Sequence, residues 1–331
     1  MMPRILHNIG LMHIGISFLT ISSVFGETHE ISNIKVVPMI EGQETSIGNP
    51  KELCNKIFGA TASPQKSEEA ERNKARERYA AHDWILKWSD EFNKTGRPDS
   101  THWNYEVGRV RNGEAQYFTL DRMENARVAD GHLIITARKE VFEGAHYTSA
   151  SLTSLDRYAF TYGKVEIRAK VPSGRGTWAA LWTLADYAPN RDGIYKRNGE
   201  GSRWPLGGEI DILEYVGMNP DQLFFTVHTE AYNHTRGTQR GHNIRHAKPW
   251  TEFHRYGIVW TPERIEWFFN GEQVFSFAKD GDDLAKWPFD SAQYLILNLA
   301  IGGGWGGQQG IDDSIFPSEF RIDYVRVWQR P

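Results

Sequence analysis

Cysteine is almost absent from this chain. Cys54 is the only one among 331 residues, so neither an intrachain disulfide nor a cysteine-based metal site can form. A basic excess is lacking as well. Lys and Arg number 38 against 42 Asp and Glu, for a formal net charge of −4, which excludes the electrostatic footprint of a nucleic-acid binder. Beyond the N-terminus no run approaches the ~20 apolar residues of a membrane-spanning helix. No internal repeat is visible, which argues against a propeller. No HExxH or comparable histidine pairing stands near the acidic motif described below, so a metallohydrolase is disfavoured. No obligatory protein partner is evident.

What is abundant is aromatic. The chain carries 12 Trp, 13 Tyr and 17 Phe, an aromatic share of 13 %. Tryptophan suits both a β core and the stacking of sugar rings on indole faces. Met1 to Gly26 reads as a signal peptide: Arg4 supplies the positive end, Ile9 to Phe25 is mostly apolar, and Val24-Phe25-Gly26 precedes Glu27. The expected location is therefore secreted or periplasmic. His13 and two glycines weaken the apolar stretch and leave an uncleaved anchor as the alternative.

Residues 27–83 read as a leader. Within it Ser67 to Ala81 is a charged, Ala-rich run opened by a serine cap, expected as a solvated surface helix. From Trp84 to the C-terminus, residues 84–331, the pattern is that of strands. Lys164 to Val171 alternates, with Val165, Ile167, Ala169 and Val171 on one face, and Pro172 closes it. Ile265 to Phe277 holds Asn270-Gly271 between aromatic runs, a hairpin signal through a type I′ turn. Gly131 to Ala137, Tyr294 to Ile301 and Phe320 to Trp328 add apolar strands. Many short strands without helix-period pattern predict an all-β sandwich or jelly roll. Asp186 to Gly208 and Tyr232 to Trp250 read as long loops, the second with Arg236, Arg240, His242, Arg245, His246 and Lys248. That basic cluster suits either an anionic polymer or solvent.

The stretch that carries chemistry is GGEIDILEYVG, Gly207 to Gly217. As a strand it places Glu209 and Asp211 on one face, and strict alternation would put a third acid at position 213. The acid comes one residue later, at Glu214. A β-bulge near Ile212 and Leu213 absorbs that extra residue and brings all three carboxylates to one face. Carboxylates so close disfavour each other's ionisation and raise at least one pKa. A retaining glycosidase needs one ionised nucleophile and one protonated acid, with carboxyls ~5–5.5 Å apart. The spacing alone does not tell which Glu does which, and solvated acids on an exposed strand are the plain alternative.

With these residues in view the chain resembles glycoside hydrolase family 16, in the bulged E-x-D-x-x-E branch of laminarinases, agarases, porphyranases and endo-β-galactosidases. WSDEF (Trp88 to Phe92), YGKVEIRAKVPSG (Tyr162 to Gly174), Trp178 to Leu184, TVHT (Thr226 to Thr229), LNLAIGGGWGG (Leu297 to Gly307) and RIDYVRVW (Arg321 to Trp328) fall in the family's order. The resemblance runs from about Trp84 to the C-terminus. It implies a concanavalin-like β-jelly-roll sandwich with an open substrate cleft on its concave face. It also implies retaining, endo-acting cleavage of a β-linked polysaccharide or oligosaccharide, without a cofactor for catalysis. Glu209 matches the nucleophile, Glu214 the general acid/base, and Asp211 the residue between them that hydrogen-bonds Glu209 and holds the two pKa values apart.

Trp182, Trp204 and Trp305 match cleft aromatics, Asn125 and His228 match polar cleft positions, and Arg175 and Gln309 are further candidates. Many members hold a structural calcium away from the cleft; Asp323 matches its carboxylate ligand, and Gly131 would add a carbonyl. Many laminarinases have Asn and Pro where GGGWGG has Gly304 and Gly306, so the departure bears on the sugar. The implied substrate is a β-1,3- or mixed β-1,3/1,4-glucan. A galactan, sulfated or host-derived, is the rival substrate, and a non-catalytic carbohydrate-binding module is the rival class.

Overall fold

The computed structural model describes residues 64–189, 194–197 and 203–331, with side chains from Glu68 onward apart from that of Tyr195. The expected signal peptide, Cys54 and the leader up to residue 63 lie outside the described residues, as does part of the loop before the acidic strand. All described residues belong to one compact unit, Ala62–Pro331.

Two mainly antiparallel sheets pack face to face as a jelly-roll sandwich. The seven-stranded sheet has the acidic strand, Glu209–Val216, at its third position. Its neighbours are Thr177–Ala185 on one side and Gln222–His228 on the other. Beyond Thr177–Ala185 lies Gln293–Ile301, and beyond Gln222–His228 the edge strand Arg240–Arg245. The ten-stranded sheet contains Gly163–Lys170 between His254–Trp260 and the long C-terminal strand Ser318–Gln329.

Alternation decides what enters the core. Val165, Ile167, Ala169 and Val171 are buried, as the sequence pattern requires, and meet Ile210, Ile212, Leu213 and Tyr215 from the opposite sheet. At the predicted hairpin, Arg264–Phe269 pairs with Glu272–Ala278, and Asn270 and Gly271 both have positive φ (51° and 87°), as a type I′ turn demands.

Two expectations are corrected. Helix Pro64–Ala80 is not a solvated helix apart from the catalytic domain. It lies on the outer face of the ten-stranded sheet, where Ala75 and Tyr79 are buried against Val259 and Phe268. Arg78 Nε donates to the fully buried Glu266 at 2.8 Å, and the Tyr79 hydroxyl contacts the buried Glu166. The helix of the expected leader thus packs on the sheet of the domain that follows it. The second correction concerns Arg240–Arg245, expected within a loop. It is an edge strand paired with Gln222–His228. Its charged side chains are mostly exposed, which suits an edge that must not recruit another strand.

Candidate active site

The bulge falls where the spacing of the acids requires it. Against Gln222–His228 the register shifts between Asp211 and Glu214, and against Thr177–Ala185 between Asp211 and Leu213. Ile212 and Leu213 therefore both enter the core, and Glu209, Asp211 and Glu214 come to the face turned away from it. Gly208 precedes the strand with φ 77°, and a Cβ there would sit 2.6 Å from the Phe289 ring. Only glycine fits that turn.

Two of the acids have an indole donor. Trp204 Nε1 donates to Glu209 Oε2 at 2.8 Å, and Trp178 Nε1 donates to Glu214 Oε1 at 3.1 Å. Burial pushes all three carboxyls well above the ordinary range. Repulsion from Glu214 adds to the rise at Glu209, and repulsion from Glu209 and Glu214 adds to that at Asp211. The groups that favour an ionised carboxylate gather at Glu209: the Trp204 indole, the Arg111 guanidinium and a hydrogen bond with Asp211. The interaction between the two carboxyls lowers the pKa of Glu209 and raises that of Asp211. Glu214 has one such donor, Trp178. These groups offset only part of the rise: Glu209 is pushed up to about 8 and Glu214 to about 7, so the cluster keeps exchangeable protons at neutral pH.

His228 lies directly across from Glu209 on the neighbouring strand. Its Nε2 is 3.7 Å from Glu209 Oε1 and 3.5 Å from Asp211 Oδ2. Burial, with His234 beside it, lowers its pKa to about 3, so the ring is neutral at ordinary pH. Trp204 is partly exposed beside the acids, its ring 5.0 Å from that of His234. Trp305 is half-buried and meets Trp178 edge-on at 5.5 Å and Phe224 at 4.9 Å.

Other sequence-derived candidates are placed differently. Trp182 stands opposite Asp211, but it is buried, bonded through Nε1 to Asn298 and capped by the Arg111 guanidinium 4.8 Å from its ring. It forms a floor rather than a free sugar platform. Asn125 is fully buried, donating to Thr136 O and Thr148 Oγ1 and accepting from Thr119. It ties strands together and offers no atom to a sugar. Arg175 and Gln309 are exposed. Asp323 is in close contact with the Arg168 guanidinium and 3.9 Å from His132 Nε2. With a fixed positive charge on its carboxylate, Asp323 together with the Gly131 carbonyl does not fit a calcium site.

Two residues near the acids escaped the sequence reading. Trp178 was legible in principle, since Trp178, Ala180 and Trp182 share a strand face by alternation. Arg111 was not, because it lies in a loop about a hundred residues upstream, held by Glu106 in a close ion pair.

Fold and site together define a glycoside hydrolase. The sequence profile of glycosyl hydrolases family 16 matches residues 112–326, and the chain belongs to that family. A β-glucanase from Rhodothermus marinus is 50 % identical over 254 residues, covering 74 % of this chain and 85 % of the relative. The crystal structure of the laminarinase from Rhodothermus marinus superposes with a TM-score of 0.69 at 49 % identity, covering 75 % of this chain and 98 % of that one. A point mutant of SCLam, a non-specific endo-β-1,3(4)-glucanase solved with an oligosaccharide at its active site, matches with a TM-score of 0.69 at 42 % identity, covering 75 % and 96 %. The glucanases of this family need no catalytic cofactor.

Proposed function

We propose that this chain is a retaining endo-glucanase that cleaves internal bonds of β-1,3- or mixed β-1,3/1,4-glucan, with Glu209 as nucleophile and Glu214 as general acid/base. The observation that carries the reading is the bulged strand, which gathers three carboxyls on one face and gives Glu209 and Glu214 different indole donors. Glu209 attacks the anomeric carbon while Glu214 gives its proton to the leaving glycosidic oxygen, and a glycosyl ester forms on Glu209. Glu214, now ionised, takes a proton from the incoming water, which displaces Glu209 and restores both groups. Asp211 donates a hydrogen bond to ionised Glu209 between turnovers and so helps hold it ready to attack.

Trp204 and Trp305 offer aromatic faces to the sugar chain, and Trp182 with Arg111 forms the floor beneath it. The identity of 50 % to a β-glucanase supports a glucan. The basic stretch lends little to a sulfated galactan, because its arginines are engaged internally. Arg245 pairs with Asp221, Arg240 stacks over Tyr232, and Arg236 bonds the Glu230 carbonyl. We also infer export through the N-terminal signal; a mature chain starting at Met1 in mass spectrometry would speak against cleavage.

The direct test is Glu209→Gln, assayed on laminarin and on mixed-linkage glucan. It should abolish hydrolysis of both while the folded protein still binds the oligosaccharide. Near-normal turnover would sink the mechanism, and wild-type activity confined to galactans would sink the substrate.

A further inference from the structure

The face that carries the acids also has the donor set of a metal site. Glu209 and Asp211 alternate on one strand and His228 stands on the next, directly opposite Glu209, so backbone pairing fixes all three. Their ligand atoms lie within 4.8 Å of one another. His228 Nε2 is 3.5 Å from Asp211 Oδ2 and 3.7 Å from Glu209 Oε1. Around a tetrahedral zinc ion with bonds of ~2.0–2.2 Å, neighbouring ligand atoms are about 3.3–3.5 Å apart. The two separations from His228 Nε2 need only a few tenths of an ångström of closure.

A second observation points to a ligand here. Asp211 is 2 % exposed, and its Oδ2, the atom facing His228, has no hydrogen-bond partner. His228 is 6 % exposed, and its Nδ1 has no partner either. Nothing forces the ring proton onto Nε2, so that nitrogen can turn its lone pair toward the two carboxyls.

The other histidine cluster among the described residues also has a buried nitrogen without a partner, His254 Nε2, but differs in the tautomer its neighbours impose. His246, Glu252 and His254 also bring ligand atoms together. There the Asn270 oxygen accepts from the Arg255 backbone N–H, which leaves the Asn270 Nδ2 facing His254 Nδ1 at 3.2 Å. That arrangement puts the His254 proton on Nε2 and withholds its lone pair.

We propose that Glu209, Asp211 and His228 bind a borderline divalent transition ion, Zn2+ or Cu2+, and that the bound ion reversibly inhibits the hydrolase. One imidazole with two carboxylates selects these ions over Mg2+ and Ca2+, which take oxygen-only shells. The ion binds the two carboxylates in their ionised form. It then holds the lone pair with which Glu209 would attack the sugar, and occupies space the substrate needs.

The test uses the purified full chain in a non-coordinating buffer. Isothermal titration with ZnCl2 should show one site involving these residues, and hydrolysis should be inhibited competitively, relieved by chelator, and unaffected by MgCl2 at the same concentration. His228→Gln should raise the zinc dissociation constant, and the half-inhibitory concentration relative to its own uninhibited rate, by at least ~10-fold. His246→Ala should change neither. If His228→Gln fails to fold, Asp211→Asn probes the same site by titration. Unaltered zinc affinity in these variants, loss of binding in His246→Ala, or no zinc binding by the wild type overturns the proposal. The calorimetric arm needs no substrate, so its failure is separable from failure of the glucan reading.

Discussion

Trp204→Phe isolates one bond to the proposed nucleophile. Phenylalanine keeps an aromatic face in the cleft and removes the indole N–H that donates to Glu209 Oε2 at 2.8 Å. A hydrogen bond to a charged group contributes ~1.5–3 kcal/mol, and one pKa unit corresponds to about 1.36 kcal/mol. The N–H favours ionised Glu209, so its loss raises the pKa of that carboxyl. The acid limb of kcat/KM, which reports the essential base of the free enzyme, should move to higher pH by about 1–2 units. Below the limb the rate should fall roughly 10- to 100-fold. On the plateau, where Glu209 is ionised in both proteins, the loss should be much smaller. The assay is reducing-sugar release from laminarin across pH, with KM and kcat separated. An acid limb in the same place, with only KM changed, would show that Trp204 acts as a sugar platform alone and refute the electrostatic role.

Two further outcomes follow from the packing. Arg78→Ala strands the buried Glu266 carboxylate with only Gln273 for support, at a cost of ~3–5 kcal/mol. The melting temperature should drop by roughly 6–20 °C, and adding Glu266→Gln should recover much of it; a drop under 2 °C would mean that the helix is not docked as described. At Asp323, where Arg168 already supplies the positive charge, EDTA should leave the melting temperature within about 1 °C. A fall of several degrees reversed by calcium would restore the calcium reading.

The acidic strand was legible because two periodicities conflict in it, and a bulge resolves the conflict. The alternating strands and the Asn270-Gly271 hairpin were legible for the same local reason: side chain and backbone agree within a few residues. What stayed hidden depends on distant partners. Among its described side chains the helix buries only Ala75 and Tyr79 and otherwise relies on charge pairs with Glu266 and Glu272, so its sequence has no apolar stripe to betray a docked face. The strand Arg240–Arg245 is hydrophilic because it is an edge, and looked like a loop. Asn125 carries a polar side chain in a motif position, yet its partners are Thr119, Thr136 and Thr148 in the protein itself. Trp182 is where the pattern puts it, but an arginine from a remote loop covers its ring.

The mechanism stands on Glu209 forming a bond to the sugar. Proton NMR of a β-1,3-glucan oligosaccharide, followed from the first turnovers, reads this directly. The β anomer should appear first at the new reducing end, with the α anomer growing only as mutarotation proceeds. First appearance of the α anomer would mean direct attack by water, and would contradict the roles of Glu209 as nucleophile and Glu214 as acid/base.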